Sequence, residues 1–421
     1  MTTNDALAGR DVEAAVAFQR DLYLYWWAAR DLGELALTSR GFLARSTLRR
    51  LRAQWPTSDD DRSEASNLRL YYLRRLLERL GLLRPPSEAS GTSASASNAR
   101  LVAAESAIMA RYLAHPLAER LRICVRLWVA GGWWPDGKPA SIPASLHTPV
   151  QPRIALARRR LIEMLAATEP GSPAEIPGVA LAALAPHAPR IIGGTAARHK
   201  PRDIAEERNQ SMQAALAGPL QWMGLVAKAA HRDEDVPGER RLVVTPAVLA
   251  LRREPVDTLV QETPGRVVIQ PNLDIVAYHP LTAPTLFTLD SCASRGTLER
   301  VAHYRLTKHD VTRAQQHGWS DEEIARSLEA LSGNPLPGNV RVRLADWTRA
   351  ASRIQFTPQA TLLTTATPAI LDALQADRNA RGWVIRRLGP TLALIQTSEI
   401  DLVRRWLLAH GELPAVEQAG Q

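Results

Sequence analysis

The sequence predicts an α+β fold that is predominantly helical. Three observations carry this. Through the first 255 or so residues, long stretches repeat their apolar positions at helical spacing. Two of those helices close on the same Leu-x-x-(Leu/Met)-Gly-Leu-apolar pattern and turn straight into a short extended run. From Gly265 the pattern changes to short strands interleaved with capped helices. At 421 residues the chain has room for about two to four compact domains.

Residues 12–32 read as an aromatic-rich amphipathic helix ending near Gly33. Residues 35–38 are short and extended, and Ser39-Arg40-Gly41 is a turn. Ser46 or Thr47 is placed to cap a basic helix, STLRRLRAQW, with Leu48, Leu51 and Trp55 on one face. Arg49, Arg50 and Arg52 fall off that face, with Arg45 just before it. After the acidic loop Asp59-Asp60-Asp61, Leu70, Leu73, Leu77 and Leu80 keep helical spacing up to Gly81. PPSEASGTSASASN has almost no large apolar residue and reads as a flexible linker, so the expected boundaries are 1–84, a linker at 85–100, and a domain at 101–255.

Beyond the linker, residues 101–130 and 153–167 read as helices, and Ser172-Pro173-Ala174-Glu175 as a capping box. Residues 203–223 read as a long helix ending in LQWMGLV, which echoes LERLGLL at 77–83. Residues 225–226, the polar loop HRDEDVPGE and residues 241–244 then give strand, loop, strand, before Thr245-Pro246 opens a helix. Helix, strand, loop, strand is the outline of a winged helix, so both halves of this region are read as winged-helix-like modules. A helical bundle with an attached hairpin is the alternative. Asp233, Glu234, Asp235 and Glu239 make the second loop unwelcome beside phosphate; Arg45, Arg49, Arg50 and Arg52 are the better phosphate-facing candidates.

The formal charge is +9, and all but four of the 52 basic residues are Arg. Arg forks onto phosphate and guanine, which suits DNA as a partner, although an Ala-, Arg- and Pro-rich chain also reflects a GC-rich bacterial genome. Cys124 and Cys292 lie far apart, so neither a disulfide framework nor a zinc site is expected, and a reducing cytoplasm fits. The polar start lacks a secretory core, and no apolar run reaches membrane length.

From Gly265, Val267-Val268-Ile269 and residues 273–277 are strands around a Gln270-Pro271-Asn272 break. TAPTLFTLDSCAS reads as a helix, and residues 301–306 as an alternating strand. Thr307 caps KHDVTRAQQH, Ser320 opens a capping box, Pro335 and Pro337 mark a turn, and NVRVRLADWTRAA is a last helix. This series resembles the helicase-associated domain that precedes the motor in XPB-type helicases. The resemblance rests on Ile269, Gln270, Pro271 and Leu273; on Tyr304, Arg305, Leu306 and Thr307; and on Gly318, Ser320, Pro335 and Pro337. It covers 265–350, with a small α/β subdomain over 351–415. It implies a mixed α/β accessory domain that engages DNA or docks a helicase or another DNA-processing protein.

The resemblance does not imply ATP hydrolysis. A phosphate loop needs Gly-x-x-x-x-Gly-Lys-(Ser/Thr), and residues 193–200 lack the second Gly. No His-Glu-x-x-His or Gly-x-Ser-x-Gly motif occurs, so no catalytic residue, metal or cofactor is expected. Asp274, in mid-strand, falls by alternation on the less buried face. The candidate nucleic-acid contacts are Arg45, Arg49, Arg50 and Arg52; Arg305, Lys308, His309 and Arg313 around one strand–helix junction; and Arg341 and Arg343, continued by Arg349 and Arg353. Trp319 and Trp347 are either stacking platforms or core residues. Three functions remain in play: a non-enzymatic DNA-binding accessory protein, a protein-docking scaffold, and a metal-dependent nuclease built from scattered carboxylates.

Overall fold

A computed structural model describes residues 12–54, 63–86, 99–134, 152–174, 213–229, 242–252, 259–299, 301–351 and 360–412. The mixed, predominantly helical α+β class holds. The chain divides into two compact units at Trp347/Thr348, so the segments expected as 1–84, 101–255 and 265–350 all contribute to the first.

Helix α1 (Glu13–Leu32) is the centre of that unit. Phe18, Leu22, Tyr23, Tyr25, Trp26, Ala28 and Ala29 are buried, on more than one face, because neighbours surround the helix. It leads into β1 (Leu35–Ala36), α2 (Arg45–Gln54), α3 (Leu68–Arg79) and β2 (Leu83–Arg84). α2 begins one residue before the expected caps, and Ala44 O takes the Leu48 N–H, so Ser46 and Thr47 lie in the first turn. α3 is capped as its sequence demands, Asn67 accepting from the Leu70 N–H at 2.8 Å.

Residues 101–103, expected to be helical, instead form β3 (Arg100–Ala103), the middle strand of an antiparallel sheet ordered β1–β3–β2. The low-complexity segment is therefore the connection of the β2–β3 hairpin, with Leu83 opposite Ala103. Its residues 87–98 lie outside the described set. α4 (Ser106–Leu113), α5 (Leu117–Ala130) and α6 (Pro152–Ala167) follow.

The expected long helix at 203–223 is described only from residue 213, and there it is interrupted. Gly218-Pro219 falls inside a π-helical turn, Leu216–Leu220, because Pro cannot supply the missing N–H. The echo between LERLGLL and LQWMGLV is nevertheless exact in backbone terms. Gly81 and Gly224 both take positive φ, 71° and 76°. The N–H groups of Leu82 and Leu225 each reach back five residues, to Leu77 O and Leu220 O, both at 2.9 Å. Each turn then feeds a hairpin: β2–β3 in the first copy, and β4 (Val226–Lys228) with β5 (Leu242–Val244) in the second. Gly224 has a second constraint, since a Cβ there would sit 2.4 Å from the Ala15 N of α1.

Two local expectations fail here. Residues 172–174 do not cap a helix; Val244 donates to Ser172 O and Ala174 to Leu242 O, so the segment lies extended beside β5. Thr245 does not cap with its side chain, which donates to Gly224 O at 2.5 Å while Pro246–Leu251 forms a 3₁₀ helix. The acidic loop 230–241 lies outside the described residues, as do Trp55 and Asp59–Asp61.

The first unit closes with a four-stranded antiparallel sheet ordered β6–β7–β9–β8: β6 (Val267–Ile269), β7 (Asp274–Tyr278), β8 (Ser294–Leu298) and β9 (Val301–Arg305). Pro271 sits in the β6–β7 turn as expected, but Leu273 belongs to that turn rather than to β7, at φ 73°. Gly265 extends the ladder, and a Cβ there would lie 2.0 Å from Tyr278 O. β8 was not legible: Ser-Arg-Gly-Thr-Leu lacks both alternation and β-branched density. Helices α7 (Ala283–Cys292), α8 (Lys308–Gln316), α9 (Asp321–Ser332) and most of α10 (Gly338–Ala351) complete it, the unit ending at Trp347. Ser320 and Glu323 form the predicted capping box.

The second unit is β10 (Ala360–Thr364), α11 (Pro368–Ala376), β11 (Val384–Gly389), β12 (Leu392–Gln396) and α12 (Ile400–Ala409). Its antiparallel sheet runs β10–β12–β11, with Ile395, Val403 and Leu407 as core.

Candidate nucleic-acid interface

The β9–α8 junction holds the best-formed group of the expected contacts. Alternation in β9 buries Ala302 and Tyr304 and exposes His303 and Arg305. Arg305 lies 3.8 Å from Asp274 across the ladder. Thr307 caps α8: its Oγ1 accepts from the Asp310 N–H at 3.2 Å and donates to Asp310 Oδ2 at 2.5 Å. Ser294 Oγ donates to the same carboxylate oxygen at 2.6 Å.

The N-terminus of α8 is occupied by the Thr307 side chain and by the buried Asp310 carboxyl, which also accepts from Ser294. Arg313 is drawn the same way, 3.1 Å from Asp310 and donating to Asp290 O. Arg305, Lys308 and His309 are exposed, and Arg313 is half-buried.

Elsewhere, Arg45, Arg49 and Arg50 are exposed on α2 while Arg52 is half-buried. Arg341 is paired with Glu329, and Arg343 is exposed. Arg353 lies outside the described residues. Trp319 and Trp347 are partly buried and pack against the core.

Two polar clusters were not foreseen. Asp290, on α7, is buried and accepts from Tyr23 Oη of α1 at 2.5 Å and from Arg295 Nε at 3.0 Å. Arg295 lies over the Trp27 ring at 4.1 Å and also donates to Tyr304 Oη. Burial, above all, pushes the Asp290 carboxyl up from its usual range, with Arg295 opposing. This network ties the four-stranded sheet to the central helix. No sequence signal marks it, because a lone Asp late in a helix gives no hint of its partners. The second cluster sets Arg30 at 3.2 Å from His317 Nε2. Burial, then Arg30 and Arg313, hold that imidazole below its ordinary value.

Among the described residues, no group of three His, Cys, Asp or Glu side chains is placed to hold a metal ion, and no helix is long and apolar enough to cross a membrane.

Residues 267–389 match the family described as helicase conserved C-terminal domain. No curated protein matches the chain. The match runs from β6 to the end of β11 and takes in Arg305, Lys308, His309, Arg313, Arg341 and Arg343. The match indicates a helicase-associated domain of C-terminal type over residues 267–389.

Proposed function

We propose that the protein is a non-enzymatic, cytoplasmic accessory protein that binds DNA, or recruits a separate motor to it, through a helicase-associated domain of XPB type. The observation that carries this is the coincidence of the helicase-family match with the exposed Arg305, Lys308 and His309. An accessory role, rather than a motor lobe, is supported by sheet topology. Every described strand pair is antiparallel, whereas nucleotide-binding α/β folds seat phosphates at the carboxyl ends of parallel strands.

A titration of full-length protein against duplex DNA at rising salt tests the reading. Several phosphate contacts require log affinity to fall linearly with log salt, with a slope of about −0.9 per phosphate neutralised. Charge-reversal of Arg305 and Lys308 lowers both affinity and slope. No binding at low salt removes the DNA half of the proposal.

A second reading, a protein-docking scaffold, is favoured by one observation. The order α1–β1–α2–α3–β2–β3, with sheet order β1–β3–β2, supports a winged helix, and the repeated helix–Gly–hairpin supports a second. In such a module α3 is the helix laid in the major groove. Here Tyr72 of α3 packs among Trp133, Trp134 and Trp222, with ring centroids 5.3–5.5 Å apart. Arg74 beside it is sealed in a buried ion pair. A helix so enclosed cannot enter a groove, so this module supports packing or docking. Partners that persist in pull-downs after nuclease treatment favour the scaffold.

A further inference from the structure

We infer that the open face of the four-stranded sheet is a platform for single-stranded DNA, on which Tyr278 and His303 stack against bases while Arg266 and Arg305 hold the backbone. This deepens the DNA-binding reading above and rests on it.

Register defines the face. Val267, Ile275, Ala277, Ala302 and Tyr304 point into the core. By alternation the other face is built in rows. Val276 of β7 stands opposite both Val268 of β6 and His303 of β9. One row further, Tyr278 pairs with Val301 and its N–H donates to Arg266 O. One row the other way, Asp274 pairs with Arg305. Arg266, Tyr278, His303 and Arg305 are all exposed, and the two valines between them are half-buried. Tyr278 is 44% exposed, its row completed by Arg266 on one side and Val301 on the other.

This placement suits a single strand better than a duplex. Tyr278 and His303 occupy the two central strands in adjacent rows, so they are diagonal neighbours, about 7–8 Å apart. Two flat π systems at that separation can each take one unstacked base, as sheet platforms for single strands do. The four strands together span about 14 Å, which is too broad and flat for the major groove of a duplex. Charge agrees: Arg266 and Arg305 lie at opposite ends of the aromatic pair, Arg305 with the Asp274 carboxylate 3.8 Å away. The small apolar Val268 and Val276 leave room between the rings.

The test uses full-length protein, a labelled oligothymidine and a duplex of equal length at low salt. Wild type is compared with Tyr278→Ala/His303→Ala, with Arg266→Ala/Arg305→Ala, and with Tyr278→Phe. All five substitutions are at exposed sites, and unchanged thermal melting shows that each variant folds. The expected result is single-strand affinity reduced about thirtyfold or more by the aromatic pair, each ring contributing about fivefold or more. Tyr278→Phe, which keeps the ring, retains it. Single-strand binding that is equal in wild type and both double variants overturns the platform and leaves DNA binding standing. So does wild type that binds duplex alone. Wild type that binds neither overturns the DNA reading itself.

Discussion

At the scale of single residues, the polar groups that hold the first unit together are those that patterns in a sequence do not announce. Glu64 accepts from the Leu43 N–H and from Arg74 Nε, both at 2.6 Å, while Arg74 also donates to Gly41 O. Both side chains are fully buried. Arg74→Ala leaves a buried, unpaired carboxylate and is expected to cost about 3–5 kcal/mol of stability in denaturant unfolding. Replacing both partners by apolar residues costs less, though not nothing, because the Leu43 N–H then lacks its acceptor. By sequence alone, Arg74 is one of several arginines on a basic helix and Glu64 a loop residue. The cysteines follow from the same burial. It pushes the Cys124 thiol up to about 11 and that of Cys292 up to about 12. Neither is ionised near pH 8, so iodoacetamide followed by mass spectrometry is expected to label them only after unfolding. Labelling of the native protein at the rate of a free thiol would contradict this.

At the scale of elements, legibility tracked local chemistry. α1, α3, α6, α8, α9 and β9 were readable because periodicity and caps such as Asn67, Thr307 and Ser320 lie within a few residues of what they control. β3 and β8 were not, since a four- or five-residue strand is specified by its partners across the sheet. The paired glycines allow a direct comparison. Gly81 has open space around it, so Gly81→Ala pays only for positive φ, about 1 kcal/mol. Gly224→Ala meets the same strain and must also displace the backbone of α1. Its melting temperature is expected to fall several degrees further than that of Gly81→Ala. Equal losses would mean that the approach to α1 is not tight.

At the scale of the whole molecule, the candidate interface was half legible. Arg305, Lys308 and His309 stood out as a basic group beside a readable strand and helix, and they are exposed as a group. Tyr278 and Arg266 did not, because a platform exists only once β6, β7 and β9 are in register, and register spans nearly forty residues of chain. The enclosure of α3 was invisible for a similar reason: Trp133, Trp134 and Trp222 reach it from distant segments.

The sheet order β1–β3–β2 has a consequence for chain continuity. Because β3 lies between strands that precede the 87–98 segment, severing the backbone within that segment does not free a domain. The two pieces remain bound by a shared ladder and by the aromatic cluster around Tyr72. Co-expressed halves divided there are expected to co-purify as one stoichiometric particle, while either half alone, with its hydrophobic interior opened, is expected to be insoluble. Halves that purify separately as soluble proteins would show that the segment joins independent bodies after all. A stretch whose composition suggests a tether is, in this architecture, a place where the covalent bond can be dispensed with.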